Sequence, residues 1–478
     1  MKKHNKPLVQ ALVKFKESTP ISFHVPGHKN GTLSGLPVGL RSALQYDFTE
    51  LEGLDDLHEP ESVLKIAQQK LATLYGANRS FFLVNGSTVG NLAMIYATCS
   101  AEDVVIVQRN AHKSVFHAIE LTGAIPIFVM PSWDNKSGTV GAVTAMQIQE
   151  VLELHSNAKA VILTYPTYYG VTGTNLEEVI KICHLHEVPV LVDEAHGAHF
   201  VIGDPFPQSA LEMGADVVVH SAHKTLPAMT MASFLHVKSN LISPKRIAHY
   251  LHMLQSSSPS YLLMASLDDA RDYAETYNKD DKINFVEQRS QFMKRLEEIP
   301  SLQMIETDDP LKLIIRSKNC SGFTIQKRLE AEGVYVELAD PFQVLLVLPL
   351  LKCEHNYPFE EISNKIRKAF AGVNESTDLQ LTTEPLLLGQ GISKLYYSSK
   401  ELEGLETEWI SYKAAVDSVA AAAVIPYPPG IPLLLAGEMV TKEHVQSLST
   451  LIARGAKFQG AIDLNKKEIV VVRRETEE

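Results

Sequence analysis

Ala215-Asp216-Val217-Val218-Val219-His220-Ser221-Ala222-His223-Lys224 runs from a short β-branched segment into a tetrapeptide that ends in lysine. Upstream, the apolar run Val188–Val192 leads into the acidic turn Asp193-Glu194-Ala195-His196. Both runs are short and bounded by turn residues, so each is predicted to be a buried strand. In an open α/β sheet, ligands bind just beyond the carboxyl ends of the strands. The lysine and the acid are therefore expected beside one ligand.

Strand-like and helix-like runs alternate from about residue 60 to about residue 240, a pattern typical of a sheet covered by helices. Helical periodicity marks Ser62–Tyr75 and Leu176–His186, and a long helical stretch covers about 260–298. The predicted strands are Ser80–Val84, Val104–Val107, Ile125–Val129, Ala160–Thr164, Val188–Val192, Val217–His220 and Ala232–Val237. The predicted fold class is α/β, with a large domain built on a mostly parallel seven-stranded sheet.

A chain of 478 residues is too long for one hydrophobic core and is expected to divide into domains. Residues 1–45 are rich in Gly, Pro and His and are predicted to form an N-terminal arm before a large domain over residues 46–298. The pattern then changes to a smaller α+β domain over residues 299–375, with antiparallel pairing, and a C-terminal domain over residues 376–478. The predicted elements of the smaller domain are Leu311–Ile315, helix Thr324–Glu332, Val334–Glu337 and Val344–Leu348.

Composition argues against several classes of protein. The formal net charge of -12 argues against nucleic-acid binding, which needs clustered Lys and Arg. The four cysteines, without C-x-x-C spacing, indicate reduced thiols in a cytoplasmic protein and no zinc site. The basic first residues are not followed by an apolar segment, and no apolar run is long enough to cross a membrane. Neither a signal peptide nor a membrane partner is predicted.

An acid at one strand end and a lysine at the next form the arrangement that a pyridoxal phosphate (PLP) site needs. The amine of Lys224 would form a Schiff base with the cofactor, and the carboxylate of Asp193 would keep the pyridine nitrogen protonated. Each residue alone has a plainer interpretation, because a lysine after a strand is usually a solvated charge and an aspartate there is usually a helix cap. Their occurrence together on neighbouring strand ends favours the cofactor.

The phosphate group of such a cofactor needs a helix N-terminus that follows a strand. The strand Phe81–Val84 followed by Asn85-Gly86-Ser87-Thr88 has this pattern. Gly86 allows close approach of the backbone, and Ser87 and Thr88 offer amides and hydroxyls. The helix dipole, about half a charge, adds to the attraction for an anion. An ordinary Ser/Thr helix cap is the alternative for this segment.

Further residues complete the predicted site. Ser221 and His223 flank the lysine and are short donors suited to phosphate oxygens. His112 follows the strand Val104–Val107 and could lie against one face of the pyridine ring. Ala195 is small enough to pack on the opposite face, and His196 could reach the side of the ring that carries the phenolic oxygen.

Together these segments resemble the Orn/Lys/Arg decarboxylase family, which has the PLP fold type I of the aspartate aminotransferase superfamily. The resemblance covers nearly the whole chain and implies that residues 376–478 are a C-terminal decarboxylase domain. It is carried by His24-Val25-Pro26-Gly27-His28, Asp47-Phe48-Thr49-Glu50, Gly53-Leu54-Asp55-Asp56-Leu57, Arg109-Asn110-Ala111-His112-Lys113-Ser114, Asp193-Glu194-Ala195-His196-Gly197, Ser221-Ala222-His223-Lys224, Tyr427-Pro428-Pro429-Gly430-Ile431-Pro432 and Gly437-Glu438. The lysine segment and the Pro-rich segment are highly specific for the family, and the phosphate loop is much less so.

By this resemblance, Lys224 carries the cofactor, Asp193 pairs with the ring nitrogen and His112 stacks on the ring. The residues implied to hold the phosphate are Ser87, Thr88, Ser221 and His223. Ser257 lies in the run Ser256-Ser257-Ser258-Pro259, which matches a family segment that lends a hydroxyl to the phosphate across a dimer interface. The resemblance therefore implies a homodimer with shared active sites.

Two features depart from the family pattern. Large catabolic members carry an N-terminal wing domain that resembles a receiver domain, whereas this chain starts in the PLP unit and resembles the short bacterial arginine decarboxylase-like form. The Ala-rich stretch Asp417–Ala423 is predicted to be a helix before the Pro-rich segment, where many members place Arg and Glu, and Ala420–Val424 is predicted as a short helical core patch. The substrate pocket is therefore expected to differ from that of those members.

The implied reaction is α-decarboxylation of a basic amino acid, with arginine favoured, then lysine, then ornithine. The products would be carbon dioxide and a polyamine precursor such as agmatine. The role is either polyamine biosynthesis or acid resistance, and the absent wing domain favours the former. Carboxylates should meet the distal cation of the substrate, and Glu337, Asp340 and Glu438 are the candidates. An aminotransferase or lyase of the same fold and a catalytically silent PLP-fold binding protein are the alternatives.

Overall fold

A computed structural model gives the fold and describes residues 5–173, 175–372, 391–427 and 430–473. The chain divides into two compact units. The first consists of Met1–Thr98 and Glu187–Tyr277, and the second of Cys99–His186 and Asn278–Glu478. Pro428 and Pro429 of the Pro-rich segment lie outside the described residues.

Helices and strands alternate along both units. The helices are α1 (Pro7–Glu17), α2 (Val38–Ala43), α3 (Val63–Tyr75), α4 (Gly86–Thr98), α5 (Lys113–Thr122), α6 (Ala145–Leu154), α7 (Leu176–Leu185), α8 (Ala222–Thr225), α9 (Pro244–Leu254), α10 (Tyr261–Glu275), α11 (Lys279–Glu297), α12 (Gly322–Ala331), α13 (Phe359–Phe370), α14 (Ser399–Leu402) and α15 (Lys442–Ala453). Single 3₁₀ turns cover Leu44–Tyr46, Phe200–Ile202 and Tyr412–Ala414. The strands are β1 (Arg79–Leu83), β2 (Val104–Gln108), β3 (Ile125–Val129), β4 (Trp133–Asp134), β5 (Thr139–Val140), β6 (Ala160–Thr164), β7 (Val190–Asp193), β8 (Val217–His220), β9 (Ser233–Val237), β10 (Gln303–Glu306), β11 (Lys312–Arg316), β12 (Leu338–Ala339), β13 (Gln343–Val347), β14 (Ile392–Lys394), β15 (Thr407–Ser411), β16 (Val424–Pro426), β17 (Phe458–Gly460), β18 (Ile462–Asp463) and β19 (Glu468–Val472).

The first unit contains four neighbouring strands in the order β1-β9-β8-β7. β9 pairs antiparallel with both β1 and β8, while β7 and β8 are parallel, with Asp193 opposite Val219. All four strands were expected from the sequence and are confirmed. β9 runs opposite to its neighbours because its connection from β8 holds only the four-residue helix α8. Parallel pairing needs a longer crossover, usually a full helix.

Helix α4 packs directly against strand β8. A Cβ atom placed on Gly90 would lie 2.7 Å from Val219 Cγ1, which is too close for any residue but glycine. The close approach brings the next residue of the helix, Asn91, against the strands, where its side chain is fully buried. Gly90 thus allows α4 to present a polar side chain to the carboxyl ends of β7 and β8.

The N-terminal segment, predicted as an arm, contains helix α1. The backbone N–H of Leu8 donates to Asp268 Oδ2 (2.9 Å), and Asp268 in turn pairs with Arg271 (3.0 Å). A carboxylate at a helix N-terminus satisfies backbone donors that have no partner within the helix. Beyond α1 the segment exposes large apolar side chains, namely Ile21, Phe23, Val25, Leu33, Leu36, Val38 and Leu40.

The second unit contains strands in the order β6-β2-β3-β14. β2 pairs in parallel with both β3 and β6, as predicted, and β14 pairs antiparallel with β3. β14 was not predicted because three residues are too few to show an alternation of polar and apolar side chains. Of the seven predicted strands, β1, β7 and β8 share one direction within the first unit, and β2, β3 and β6 share one direction within the second. Among these seven, β9 alone opposes its neighbours, so the α/β class with a mostly parallel sheet is confirmed.

A smaller antiparallel sheet in the second unit has the order β10-β11-β13-β12. It packs with α11, α12 and α13 around a core that includes Phe292, Leu313 and Ile366. The predicted strand Val334–Glu337 is wrong, since pairing begins only where the Glu337 N–H meets the Leu345 carbonyl, and the paired residues are Leu338 and Ala339.

The Ala-rich stretch before the Pro-rich segment is not helical, which corrects the predictions for Asp417–Ala423 and Ala420–Val424. Asp417 has a φ of 63°, outside the helical region, and Ala420 forms an isolated β-bridge with Val471. The chain then enters the short strand β16, which pairs with β17. Alanine favours the helix over other ordinary residues by at most about 0.7 kcal/mol per residue. Pairing with distant parts of the chain outweighs this preference here.

Within the residues that the structure describes, no helix has both the length and the apolar character needed to cross a bilayer. The same residues contain no cluster of three or more side chains suited to hold a metal ion. The cysteines are free thiols, three of them buried and Cys353 exposed.

Candidate active site

Two turns of the first unit lie side by side where β7 and β8 end. One contains Asp193, Ala195 and His196, and the other contains Ser221 and Lys224. A backbone hydrogen bond from Ser221 N to Ala195 O (3.3 Å) joins them. The pairing of β7 with β8 therefore places the predicted acid and the predicted lysine at one edge of the sheet.

Lys224 lies in the short helix α8 and is partly buried. Its Nζ atom is 3.0 Å from Nε2 of His196, whose side chain is 4% exposed. An amine in hydrogen-bond contact with an imidazole can exchange a proton with it, which is the geometry that general acid–base chemistry requires. The structure thus brings together two of the predicted site residues.

Asp193 is the last residue of β7 and is buried. Its Oδ2 atom accepts a hydrogen bond from Asn91 Nδ2 (2.8 Å), and its Oδ1 atom accepts one from the Ala195 N–H (3.2 Å). Asn91 was missed as a site residue in the sequence. The sequence feature that could have identified Asn91 is its position four residues after Ser87, because residues four apart lie on the same face of a helix.

The segment predicted to hold the phosphate forms a strand, a turn and a helix N-terminus, and phosphate binding there stays a prediction. β1 ends at Leu83 and α4 begins at Gly86, which has a φ of 74°. Ser87 Oγ accepts a hydrogen bond from Ser221 Oγ (2.8 Å), so the helix N-terminus and the lysine turn are in contact. Thr88 is exposed at the same helix end. Hydroxyls and backbone N–H groups at a helix N-terminus form a site suited to an anion.

His223 and Ser257, predicted to contact the phosphate, have different surroundings. His223 Nδ1 is 3.0 Å from the carbonyl oxygen of Ala232, and since a carbonyl only accepts, this nitrogen carries the proton. In the neutral ring Nε2 is then an acceptor, so His223 must be protonated to donate to a phosphate from Nε2. Ser257 is exposed in the loop after α9.

His112 belongs to the second unit and caps helix α5. Its Nδ1 atom accepts from the backbone N–H of Ser114 (3.3 Å) and lies 2.9 Å from Ser114 Oγ. The cap fixes the orientation of the imidazole ring. Stacking of this ring on the cofactor stays a prediction.

Arg109, three residues before His112, makes a buried ion pair that the sequence did not predict. Its guanidinium contacts both carboxylate oxygens of Glu438 (3.1 and 2.7 Å) and donates to the carbonyls of Pro432 (2.8 Å) and Leu433 (3.2 Å). The Arg109 side chain has no exposed surface. This fork geometry fixes the end of the Pro-rich segment at the end of β2.

The lysine segment thus contacts His196 and Ser87, and the described end of the Pro-rich segment contacts Arg109. The family model described as Orn/Lys/Arg decarboxylase, major domain, matches residues 6–320, and the model for the C-terminal domain of the same family matches residues 397–461. The chain belongs to the Orn/Lys/Arg decarboxylase family. The resemblance noted in the sequence is confirmed, and the protein is a decarboxylase-family enzyme.

Curated relatives extend over nearly the full chain. The uncharacterized protein YaaO of Bacillus subtilis is 45% identical over 479 residues, and the match covers 98% of each chain. Arginine decarboxylase of Bacillus subtilis is 33% identical over 491 residues and covers 99% of each chain. Among solved structures, the lysine decarboxylase LdcF of Francisella novicida superposes with a TM-score of 0.78 at 19% identity, covering 98% of this chain and 82% of that one. This likeness concerns the fold.

Family membership implies pyridoxal phosphate as the cofactor, and the residues of the first unit fit it. A lysine amine, a buried carboxylate oriented by Asn91, and a helix N-terminus with two hydroxyl side chains match the aldehyde, the ring nitrogen and the phosphate of this group. Each of these three groups comes from a strand end of the same sheet edge.

The acids predicted for the distal cation of the substrate are in varied surroundings in the second unit. The Glu438 carboxylate is already paired with Arg109, which argues against a substrate role. Asp340 accepts from the Tyr169 hydroxyl (2.5 Å) and from the Phe342 N–H (2.7 Å), and burial raises the pKa of its carboxyl. Glu337 is exposed.

Proposed function

We propose that this decarboxylase-family chain removes the α-carboxylate of a basic amino acid, with arginine favoured, then lysine, then ornithine. The amine product from arginine would be agmatine. The observation that carries the proposal is the contact of the Lys224 amine with His196 beside a carboxylate, Asp193, held by Asn91. The similarity to arginine decarboxylase of Bacillus subtilis over 99% of both chains supports arginine as the first choice.

Each residue of the first unit would have a distinct task. Pyridoxal phosphate, when bound, supplies an aldehyde that condenses with amines and a ring that withdraws electrons from the α-carbon. Lys224 would present its amine to the aldehyde, and Asp193 would hold a proton at the ring nitrogen. His196 is within hydrogen-bond distance of the Lys224 amine and can take or return a proton there. Asp193 and His196 are buried, which limits the access of water to their side chains.

A competition assay tests both the reaction and the substrate. Purified protein with added PLP is offered arginine, lysine and ornithine together, and amines, keto acids and carbon dioxide are quantified. We expect agmatine with an equal amount of carbon dioxide, and no keto acid. Formation of a keto acid would contradict decarboxylation and indicate an aminotransferase. Cadaverine as the main product would show that lysine, and not arginine, is the preferred substrate.

We also propose a homodimer with shared active sites. The segment over residues 21–40 exposes several large apolar side chains, including Phe23 (96%) and Ile21 (87%), and apolar side chains exposed together are typical of an interface. Ser257 is exposed, as a side chain that reaches a partner's phosphate must be. Light scattering should give twice the 52.9 kDa of the chain, and Phe23→Ser should shift the mass towards the monomer.

A mixing experiment tests the shared site. Ser257→Ala should weaken PLP binding by about 10-fold if its hydroxyl bonds a phosphate. Subunits with Lys224→Ala mixed with subunits with Ser257→Ala should regain one intact site in each hybrid dimer. Activity equal to the average of the two separate variants would mean that each chain builds its own site.

The remaining sequence predictions stay proposals. We propose the domain boundaries at residues 45, 298 and 375, with a C-terminal decarboxylase domain from residue 376. We also propose that the enzyme acts in the cytoplasm and in polyamine biosynthesis. Fluorescence microscopy of the tagged full chain and amine profiles of a deletion strain test the last two.

A further inference from the structure

Two titratable side chains lie buried directly behind the candidate active site and have no role in the proposed reaction. Glu194 follows Asp193 in the chain, and His220 precedes Ser221. Both side chains have no exposed surface. Each is therefore one residue from a residue of the site.

The Glu194 carboxylate joins three parts of the first unit through one oxygen. Its Oε2 atom accepts from Ser209 Oγ (3.0 Å) and from the Ala210 N–H (3.1 Å), and it lies 3.3 Å from His220 Nε2. The turn after β7 is thereby tied to the end of β8 through side chains, in addition to the backbone bond between Ser221 and Ala195.

His220 is enclosed by aromatic and polar side chains of neighbouring elements. The Tyr75 ring lies 5.1 Å from it and stacks on His236 at 4.2 Å, while His236 Nδ1 is 2.7 Å from Ser80 Oγ. Burial, reinforced by His220, holds the pKa of His236 well below its usual range. Glu194 and His220 are therefore the acid and the base of this cluster that face each other.

The pair is not arranged as a saturated structural ion pair. Glu194 Oε1 is buried without a hydrogen-bond partner among the described residues, and neither His220 nitrogen makes a hydrogen bond there, so His220 Nε2 meets Glu194 Oε2 at 3.3 Å as an ion-pair contact. A Cβ atom on Gly197 would lie 2.6 Å from Glu194 Cγ, so glycine is needed there to admit the carboxylate. Buried polar atoms without a protein partner are rare in folded proteins, so this pair is not explained by hydrogen bonding within the fold alone.

We propose that Glu194 and His220 are positioning residues, which hold the turn of Asp193 and His196 against the turn of Ser221 and Lys224. The inference rests on the proposed function, since those turns matter as parts of a PLP site. Loss of either partner frees one turn relative to the other. The acid for the ring nitrogen and the lysine for the aldehyde then no longer meet one cofactor at a fixed separation.

The test compares Glu194→Gln, His220→Gln and the double variant with Asp216→Asn as a control. Asp216 is a buried acid at the opposite end of β8, so its loss reports burial without proximity to the site. PLP affinity is measured by titrating apoprotein and following visible absorbance, and the pH midpoint of that absorbance is recorded. The melting temperature of each apoprotein and its kcat and KM complete the set.

We expect Glu194→Gln and His220→Gln each to weaken PLP binding by about 10-fold, to shift the absorbance midpoint and to lower kcat more than KM changes. The double variant should be no worse than the single variants, because both remove one interaction. Asp216→Asn should lower the melting temperature and leave PLP affinity and the midpoint as in the wild type.

The inference is overturned if both pair variants lose thermal stability as Asp216→Asn does, with PLP affinity and absorbance midpoint unchanged. Should Glu194→Gln not fold, His220→Gln decides by the same two measurements. A wild-type protein that shows no visible absorbance with PLP would overturn the proposed function first, and this inference with it. That outcome is seen before any variant is compared.

Discussion

The strand pair β7–β8 has a buried aspartate at its amino end and another at its carboxyl end. A lysine and a serine lie near each of the two. At the amino end these are Asp216, Lys238 and Ser239. At the carboxyl end the corresponding residues are Asp193, Lys224 and Ser221, with Glu194 behind them. The same residue types therefore occur at both edges of one strand pair, in one compact unit.

The contacts of the two sets differ in kind. Asp216 accepts from the backbone N–H of Val190 (2.8 Å) and from the Ser239 hydroxyl, and Lys238 donates to the Leu211 carbonyl (3.3 Å). At the carboxyl end the partners are the side chains of Asn91, His196 and Ser87. Backbone groups supply two of these three contacts at the amino end, whereas side chains supply most of the contacts at the carboxyl end, where the Ala195 N–H is the backbone partner of Asp193. Burial alone does not distinguish them.

The largest expected effect separates the two lysines. Lys224→Ala should reduce decarboxylation by about 10⁴-fold or more, because it removes the group that bonds the cofactor. Lys238→Ala, at the other edge, should leave kcat within about twofold, since surface changes away from special features are nearly neutral. Steady-state rates and mass spectrometry after borohydride treatment measure both. An equal loss of activity in Lys224→Ala and Lys238→Ala would contradict the proposed difference between the two ends of the strand pair.

A second test separates the two acids. Asp193→Asn should lower kcat by about 10²–10³-fold, as expected when a preorganised charge next to the reacting group is removed. Asp216→Asn should instead cost about 1–3 kcal/mol of folding free energy by weakening buried hydrogen bonds, with kcat preserved. Urea unfolding and initial rates on the same preparations give the two numbers. An Asp216→Asn protein that is stable but inactive would contradict the assignment of Asp216 to folding and Asp193 to catalysis.

Removal of the cofactor should affect one edge only. With PLP at about 100 times its dissociation constant, binding adds about 2.7 kcal/mol to the apparent free energy of unfolding, and stripping it should return that amount. Hydrogen exchange should quicken in residues 193–197 and 221–224 and stay unchanged in residues 238–242. Uniform loss of protection at both edges would argue that the cofactor organises the whole unit.

The smallest effect concerns pH. Burial raises the pKa of the Glu194 carboxyl, an effect that His220 and Ser209 only partly offset. A carboxyl with a raised pKa in the folded state contributes stability that is fully present below its unfolded pKa of about 4.3 and is lost as pH rises through the folded pKa. Wild type should therefore lose stability relative to Glu194→Gln over that interval, by at most about 1.4 kcal/mol per pH unit.

Urea unfolding at a series of pH values checks this difference. Asp216→Asn keeps Glu194 and should retain the same component. Parallel curves for wild type and Glu194→Gln across the interval would mean that Glu194 holds the same proton in both states of the chain.

The sequence was sufficient for the features that depend on local pattern. Buried runs such as Val217–His220 gave the predicted strands of both units, and strand ends gave Lys224 and Asp193. Asn91 escaped because its role depends on Gly90 letting α4 approach β8, a contact that no local pattern encodes. The helix predicted over Asp417–Ala423 is wrong because its alanine content favours a helix, whereas the residues that pair with this stretch, such as Val471, are distant in the chain. Arg109 and Glu438 each lie in a segment that resembles the family, but the contact between them joins residues that are far apart in the chain.

The pairing of Arg109 with Glu438 limits how this protein can be cut into parts. The arginine lies in the segment matched by the major-domain model and the glutamate in the segment matched by the C-terminal model. A fragment that ends near residue 320 would lack Glu438 and the carbonyls of Pro432 and Leu433, and so would leave the Arg109 guanidinium without the partners it has in the full chain. Expression of that fragment alone should give insoluble protein, and co-expression with the remaining residues should rescue it.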